Sequence, residues 1–176
     1  GVDWIYEEES PVRDHLLEGE FKLHRGDIPL AAVGGILAYE LGLSPRFLAP
    51  IEIFYPTRTG KISAANPMAS VEAVKAWPSC TFSISQEIDD DLIIVPIELM
   101  RELLEYEREV SAVEIRLTED ADSRELQRLQ AEISSRLGDG YKVLDRFQQN
   151  ESLYKMMKYE KAAIYMILIF IVIIIA

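Results

Sequence analysis

The last fifteen residues, Ala162–Ala176, constrain the chain most, because they contain no charge, no glycine and no proline. As a helix they would be roughly 22 Å long, short of the roughly 30 Å hydrocarbon core of a bilayer. An unbroken Ile, Leu, Val and Phe run at a chain end favours a membrane segment over a buried helix of a water-soluble protein. Gly1 stands where an initiator Met would, and no signal-like segment precedes Val2. We therefore expect a piece of a longer membrane protein.

A helix is predicted to begin well before this apolar run. Asn150 can accept a hydrogen bond from a free backbone N–H, and Glu151 suits the positive end of a helix. No glycine or proline follows, so one continuous helix is predicted from about Asn150 to at least Ile174. Its polar half would stand roughly 16 Å above the apolar run and act as a rigid coupling rod. The residues expected to carry this coupling are Tyr154, Lys158 and Tyr159.

Composition limits the partners and the chemistry. The formal charge of −12 makes nucleic acids and anionic membrane surfaces poor partners. The single Cys80 excludes an internal disulfide and a multi-cysteine metal site. His15 and His24 lie among polar residues without metal-ligand spacing, which predicts surface histidines. About 150 residues outside the apolar run leave room for one domain or two small ones.

The first half of the chain predicts strands around a glycine pair. Leu30–Val33 is predicted as a short buried strand, followed by Gly34-Gly35 and a two-turn helix that Gly42 closes in the left-handed conformation. A phosphate-binding loop would need a third glycine or a Lys-Ser/Thr pair, so close strand–helix packing explains the glycines better. Ile51–Tyr55 alternates as a strand that ends at Pro56.

The stretch Thr57–Pro78 is the least regular part of the sequence, and a connection of that length is usually functional or disordered. Thr81–Ile84 and Asp91–Val95 are predicted as strands, with Gln86–Asp90 turning between them. The acidic run Asp89–Asp91 lacks the glycine and the spaced oxygen donors of a calcium loop. A hairpin tip is therefore favoured there.

The second half predicts a helix and then a strand–helix–strand unit. Pro96 is predicted to start the helix. Val110–Leu117 alternates as a strand, Asp122 caps an amphipathic helix that Gly138 ends, and Tyr141–Phe147 is predicted to return as a strand. The result would be a split βαβ-type unit whose single apolar face needs a partner.

Signatures of catalysis are missing from the sequence. The two histidines lie in one short segment, and no G-x-S-x-G, H-E-x-x-H or Walker motif occurs. We therefore expect no enzyme activity, no cofactor and no metal site. A binding or coupling module is the favoured interpretation.

Four stretches carry a resemblance to a known family: AAVGGILAYELGL at Ala31–Leu43, the segment Ile51–Met68, the segment Phe82–Leu104, and the segment Val143–Leu168. Together with the element order, they resemble ABC-transporter permeases of the FtsX/MacB type. The likeness is greatest to lipoprotein-releasing permeases of the Bacteroides kind, and it covers nearly the whole sequence.

The resemblance implies an α+β fold and a location. Such permeases sit in the inner membrane and place this domain in the periplasm, between their first and second membrane helices. The implied fold is a MacB-like periplasmic core, with a sabre lobe inserted into a porter lobe. Residues 1–25 would be an incoming segment from the porter-like lobe, 26–109 the sabre-like lobe, 110–148 the second half of the porter-like lobe, and 149–176 the stalk and a truncated transmembrane helix.

The resemblance also implies a function. The permease would couple ATP hydrolysis by a separate cytoplasmic ATPase subunit to the release of lipoproteins from the inner membrane to a periplasmic carrier, beside a second permease subunit. A projecting hairpin in the inserted lobe hooks the carrier in such permeases, and Thr57–Pro78 falls in the corresponding place. The partner-binding residues expected there are the cations Arg58 and Lys61 and the apolar Ile62, Pro67 and Met68.

Several alternatives stay open from the sequence. Within the family they are a MacB-like efflux permease and an FtsX-like regulatory permease. Outside it, a single-pass extracytoplasmic sensor or binding domain fits the same order of elements. For Thr57–Pro78 the alternative is a mobile loop without a partner. The positive-inside rule weakly favours a cytoplasmic flank, since three lysines face two glutamates at 151–161.

Overall fold

The computed structural model describes residues 1–47, 49–58, 71–117, 122–149, 159–161 and 163–171. The fold is mixed α+β, as expected, and the chain divides into two compact units, Gly1–Ala112 and Val113–Ala176. The described strands are β1 (Leu16–Gly19), β2 (His24–Arg25), β3 (Ile28–Gly34), β4 (Ile51–Pro56), β5 (Val71–Phe82) and β6 (Ile93–Ile94). The described helices are α1 (Ile5–Glu9), a 3₁₀ helix (Pro11–His15), α2 (Gly35–Glu40), α3 (Gln86–Asp91), α4 (Ile97–Leu104), α5 (Ser123–Leu137) and α6 (Arg146–Gln149).

The long strand β5 organises the sheet of the first unit. It runs antiparallel to β1 on one side and parallel to β3 on the other. Its N-terminal half also pairs with β4 in an antiparallel hairpin, with Ile51 opposite Ala76 and Pro56 opposite Val71. β3 continues the sheet through β2 and β6, both antiparallel to it.

Two hydrophobic cores cover the two faces of this sheet. Neighbouring residues of β3 point to opposite faces, so Ala31 and Val33 enter one core while Ala32 enters the other. The first core contains Ala31, Val33, Ala38, Ile51, Val74, Ala76, Val95, Leu99 and Leu103. The second core contains Val12, Phe21, Leu23, Ala32, Cys80, Phe82 and Ile94.

A bulge in β5 lets this one strand serve both cores. Ala31–Ala32 of β3 pair with Pro78 and Cys80, which leaves Ser79 as an extra residue. An extra residue shifts the alternation, so Ala76 faces the first core and Cys80 the second, although their spacing is even. A bulge is also where a strand tolerates proline, which explains Pro78 inside β5.

Close packing explains the glycine pair, as predicted. A Cβ on Gly34 would lie 2.8 Å from the Cα and carbonyl carbon of Asp89 in α3. The N–H of Gly34 also donates to the carbonyl of Leu92 at 2.9 Å, which holds the end of β3 against that segment. The strand over Leu30–Val33, the helix after it and the left-handed Gly42 are likewise confirmed.

The strand predicted at Ile51–Tyr55 is confirmed as β4, and Pro96 directly precedes α4 as its N-cap. Leu99 and Leu103 point from α4 into the first core, at 7% and 2% exposure. The helix ends at Leu104, and the next residue, Glu105, takes a left-handed conformation with φ of 55°. β4 and α4 together position the candidate functional site.

The hairpin predicted around Gln86–Asp90 is wrong. These residues form helix α3, and β6 pairs with β3 instead of turning back along β5. The acidic residues favour the N-terminal end of a helix, where the backbone dipole is positive. Asp89 turns inward and is only 4% exposed. Of the two flanking strands predicted, β5 ends at Phe82 and β6 covers only Ile93–Ile94.

The carboxylate of Asp89 accepts hydrogen bonds at the N-terminal end of α3. Burial would raise the pKa of Asp89, but hydrogen bonds from the backbone N–H of Ile84, from Ser83 Oγ and from the N–H of Ser85, together with the charge of His15, lower it below its usual value. The distances from the carboxylate to Ser83 Oγ and Ile84 N are 2.7 and 2.8 Å. The ionised form therefore stabilises the fold.

Asp89→Asn should lower the free energy of unfolding at pH 7 by about 1–3 kcal/mol, because an amide cannot accept these bonds at both positions. Because the pKa of Asp89 is lower in the folded chain, its ionisation stabilises the folded state at pH values above the unfolded pKa of about 3.9. This stabilisation is lost as the pH falls through the folded pKa. The deficit of the variant should therefore shrink below about pH 4. Urea unfolding across that range measures it, with the exposed Asp91→Asn as control. A deficit that does not change with pH would contradict the account.

The irregular connection predicted for Thr57–Pro78 is partly wrong. Its last part, Val71–Pro78, belongs to β5. Small residues and an internal proline give this stretch a low local propensity for a strand. Packing between two neighbouring strands and the bulge at Ser79 stabilise the strand in spite of that low propensity. Residues 59–70 lie outside the described part of the chain.

The second unit contains the predicted helix but not the predicted strands. Asp122 accepts hydrogen bonds from the N–H groups of Arg124 and Glu125, and Gly138 follows the last turn of α5. Residues 110–117 form no strand, and Val113 is 75% exposed, because alternation stabilises a strand only beside a paired neighbour. Residues 141–145 form no strand either, and α6 begins at Arg146. The βαβ unit is thus absent from the described residues.

The terminal segment is helical at 159–161 and 163–171. Within the described residues, no helix combines the length and apolar character needed to cross a membrane. The predicted continuous helix begins at Asn150, and residues 150–158, 162 and 172–176 lie outside the described part of the chain.

Candidate functional site

The hairpin formed by β4 and β5 is buried at one end and exposed at the other. Opposite residues share a face, so Ile51 with Ala76 and Ile53 with Val74 point into the first core. Towards residues 57–70 the burial ends, and Tyr55, which follows on the same face, is 47% exposed. The hairpin therefore leaves the core as it approaches its connecting segment.

A pocket of about 350 Å³ lies where the hairpin leaves the core. We call it the hairpin-root pocket. One wall is the end of β4 with the residues that follow it, and the other is the C-terminal end of α4. The lining residues are Tyr55, Pro56, Thr57, Arg58, Leu104 and Tyr106. The volume suits one large side chain of a partner, and tyrosine and arginine are enriched at such contacts.

Arg58 forms one edge of the hairpin-root pocket. Its guanidinium lies over the ring of Tyr106, 4.7 Å from the ring centre. A guanidinium over an aromatic ring makes a cation–π contact, and arginine in general pairs well with carboxylates. The pocket thus combines a cationic side chain with two aromatic ones.

The wall that carries Tyr106 is held by several backbone contacts. The N–H of Tyr106 donates to the carbonyl of Arg101 at 2.9 Å, which closes α4. The carboxylate of Glu109 accepts the N–H groups of Glu107 and Arg108, each at 2.9 Å. Hydrogen bonds from its own backbone N–H and from those of Arg108 and Glu107 lower the pKa of Glu109, and Arg58 adds a smaller effect. These contacts fix the position of Tyr106 relative to α4.

The structure places one of the predicted partner-binding residues, Arg58, in this pocket. The other four, Lys61, Ile62, Pro67 and Met68, lie outside the described residues. Of the predicted coupling residues, Tyr154 and Lys158 also lie outside them, and Tyr159 is helical and 74% exposed.

Sequence reasoning missed Tyr55 and Tyr106 as lining residues. The sequence predicts Tyr55 only as the last residue of a strand. The available signal is an aromatic residue at or just after the end of each element, followed by a polar segment. The pairing of β4 with β5 over α4, which brings the two rings together, was not predicted.

The described residues that carry reactive groups do not form a catalytic arrangement with the pocket. His15 and His24 are on the surface, as predicted. Burial raises the pKa of the Cys80 thiol to about 11, so it stays protonated in the second core at neutral pH. Within the described residues, no group of three or more His, Cys, Asp or Glu side chains is placed to hold a metal ion. The pocket can bind a group by stacking and hydrogen bonding.

Comparison with models of known protein families gives no match for this chain, and comparison with curated proteins gives none either.

Proposed function

We propose that the chain is the periplasmic domain of an ABC-transporter permease of the lipoprotein-releasing type, and that the β4–β5 hairpin docks a periplasmic carrier. The observation that carries the proposal is the hairpin itself, which is buried at Ile51 and Ala76 and leaves the core towards Tyr55. It stands where the resemblance to such permeases expects a projecting hairpin. The hairpin-root pocket supports the proposal because it adds an ordered contact beside that end.

In this proposal the chain performs no catalysis. ATP hydrolysis belongs to a separate cytoplasmic subunit, and a second permease subunit stands beside this one in the inner membrane. Residues 26–109 correspond to the inserted sabre lobe and 110–148 to the second half of the porter lobe. The exposed Val113, Ile115 and Tyr141 would then be covered by the first half of that lobe, contributed by another part of the permease. Residues 149–176 would link the lobe to the membrane as a coupling rod.

Replacing Ile62, Pro67 and Met68 together with serine should weaken carrier binding at least about tenfold and reduce lipoprotein release in parallel. Removing apolar contacts from the centre of an interface typically costs more than 1.4 kcal/mol, which is a factor of ten. The measurements are titration of the purified carrier onto the full permease and lipoprotein release from vesicles that contain permease and ATPase.

Tyr39→Ser is the matched control, because this residue is 87% exposed on α2 and lies outside the hairpin. It should leave both measurements unchanged. Unfolding followed by tryptophan fluorescence checks the fold, since Trp4 and Trp77 both lie in the first unit. If carrier binding and release persist in the folded triple variant, the hairpin is not the docking site. If the unaltered permease binds no carrier and releases no lipoprotein, the proposed function itself is wrong.

A further inference from the structure

The first residues of the second unit, 113–117, have an apolar face and a charged face. We call them the open segment. Arg116 Nε lies 3.1 Å from Glu114 Oε1, and both side chains are exposed. Side chains two residues apart meet on one face of an extended chain but not on a helix. The apolar residues that alternate with this ion pair are also exposed, and they are Val113, Ile115 and Leu117.

The open segment has the pattern of a strand without a neighbouring strand. Within the described part of the chain, no strand lies beside Val113, Ile115 or Leu117. Proteins usually protect such an edge by covering it or by placing lysine or proline on it. The open segment contains neither lysine nor proline. Its edge therefore remains suited to pairing with another extended segment.

One register makes the open segment complementary to a second copy of itself. In an antiparallel pair, residues directly opposite each other lie on the same face. With Ile115 opposite Ile115 of the second copy, Val113 lies opposite Leu117 and Glu114 lies opposite Arg116. Every apolar side chain then meets an apolar one, and every carboxylate meets a guanidinium. Two-fold symmetry repeats each of these pairs.

Other registers lack this complementarity. Centring the pair on Glu114 or on Arg116 places like charges directly opposite each other, which destabilises a strand pair. Centring it on Val113 leaves both charges opposite uncharged residues, and centring it between two residues sets charged side chains opposite apolar ones. A parallel pair in register sets Glu114 beside Glu114 of the second copy. The sequence of the open segment therefore selects the antiparallel register centred on Ile115.

We propose that the open segment binds the open segment of a second copy of this chain, as an antiparallel strand pair centred on Ile115. This goes beyond the proposed function, in which the first half of a porter lobe covers the apolar face. A cover on that face leaves the edge of the strand free, so the two contacts are compatible. Because two strands of this length are marginal in water, the test traps the pair covalently.

The first test is disulfide trapping of Ile115→Cys in mild detergent with diamide as the oxidant. The two introduced cysteines would lie directly opposite each other, at a Cα separation of about 4.5–5.5 Å that suits a disulfide. A linked dimer should form. The unaltered chain gives the background, since its single Cys80 is fully buried.

Val113→Cys is the matched control on the same face of the open segment. Val113 is 75% exposed and Ile115 is 60% exposed, so random collisions would favour the control. In the proposed register the two copies of residue 113 would lie roughly 13 Å apart, too far for a disulfide. The control should therefore link at most about a tenth as much as Ile115→Cys.

Exchanging the charges tests the register itself. Added to Ile115→Cys, Glu114→Arg would place arginine opposite arginine, and Arg116→Glu would place glutamate opposite glutamate. Each combination alone should link about five- to tenfold less than Ile115→Cys. A mixture of the two should restore linking as a mixed dimer, because one chain then offers two bases and the other two acids. Mass spectrometry identifies the mixed dimer by its mass.

Three results would overturn the proposal. The first is equal linking of Val113→Cys and Ile115→Cys, and the second is a mixture that links no better than its separate components. The third is the absence of a linked Ile115→Cys dimer while circular dichroism shows the chain to be folded, which would assign the edge to a different partner. None of these measurements needs a carrier, an ATPase or a lipoprotein, so their outcome is independent of the proposed function.

Discussion

Replacing Phe82 with alanine should lower the free energy of unfolding of the first unit by about 3–5 kcal/mol. Phe82 is fully buried at the C-terminal end of β5 and packs in the second core, where Phe21 and Leu23 are also fully buried. Its removal leaves a cavity that the surrounding strands cannot close, because β5 is paired on both sides at this point. A whole domain is typically stable by only about 5–15 kcal/mol, so the loss is large.

Phe54→Ala is the matched control for this prediction. It removes the same side chain from β4, where Phe54 is 52% exposed on the outer face of the hairpin, and it should cost less than about 1 kcal/mol. Urea unfolding followed by tryptophan fluorescence reports on the first unit, because Trp4 and Trp77 both lie there. Equal losses for the two variants would show that Phe82 is not a core residue.

Replacing Gly34 with alanine should destabilise the first unit by about 1–3 kcal/mol. The new Cβ would meet the backbone of Asp89, with the Cα and carbonyl carbon only 2.8 Å away. Backbone atoms inside a helix cannot rotate away as a side chain can. The end of β3 and helix α3 would have to separate, which also weakens the hydrogen bond from Gly34 to Leu92.

Gly35→Ala, at the second glycine of the pair, is the comparison variant, because its new Cβ would meet different atoms. Its new Cβ would meet the end of the Leu17 side chain at 2.8 Å and, less closely, the carbonyl oxygen of Phe82 at 3.2 Å. Leu17 is 65% exposed and can move, and alanine favours the helix that begins at this residue. The variant should therefore lose less stability than Gly34→Ala. If Gly34→Ala proves as stable as Gly35→Ala in the same unfolding measurement, close packing is not the reason for the first glycine.

Alternation predicted β4 correctly and failed at residues 110–117, and the comparison shows what the pattern leaves out. Ile51 and Ile53 alternate with polar or exposed residues and find β5 beside them and α4 beneath them. Val113 and Ile115 alternate equally well, but they remain exposed and no described strand pairs with them. A hydrophobic period of two shows only which side chains would share one face of a strand. The strand itself forms only where another strand supplies hydrogen bonds.

Contacts that the residue pattern does not reveal also determine the conformation of the acidic run Asp89–Asp91 and the formation of the candidate site. Nothing local in the sequence shows that Asp89 turns inward to accept bonds from Ser83 and Ile84, so a turn was predicted where α3 forms. The hairpin-root pocket depends on the approach of Tyr55 to Tyr106, which are 51 residues apart in the chain. Helix caps such as Asp122 were predictable, because they involve only neighbours along the chain.

The continuity of β5 has a mechanical consequence. Its twelve residues span roughly 40 Å and run from the exposed end of the hairpin to the middle of the sheet. A pull on the connecting segment would act along the axis of β5, where β1 and β3 flank its last residues. The hydrogen bonds of both neighbours would then be loaded together in shear, so the central strands would share a sustained force.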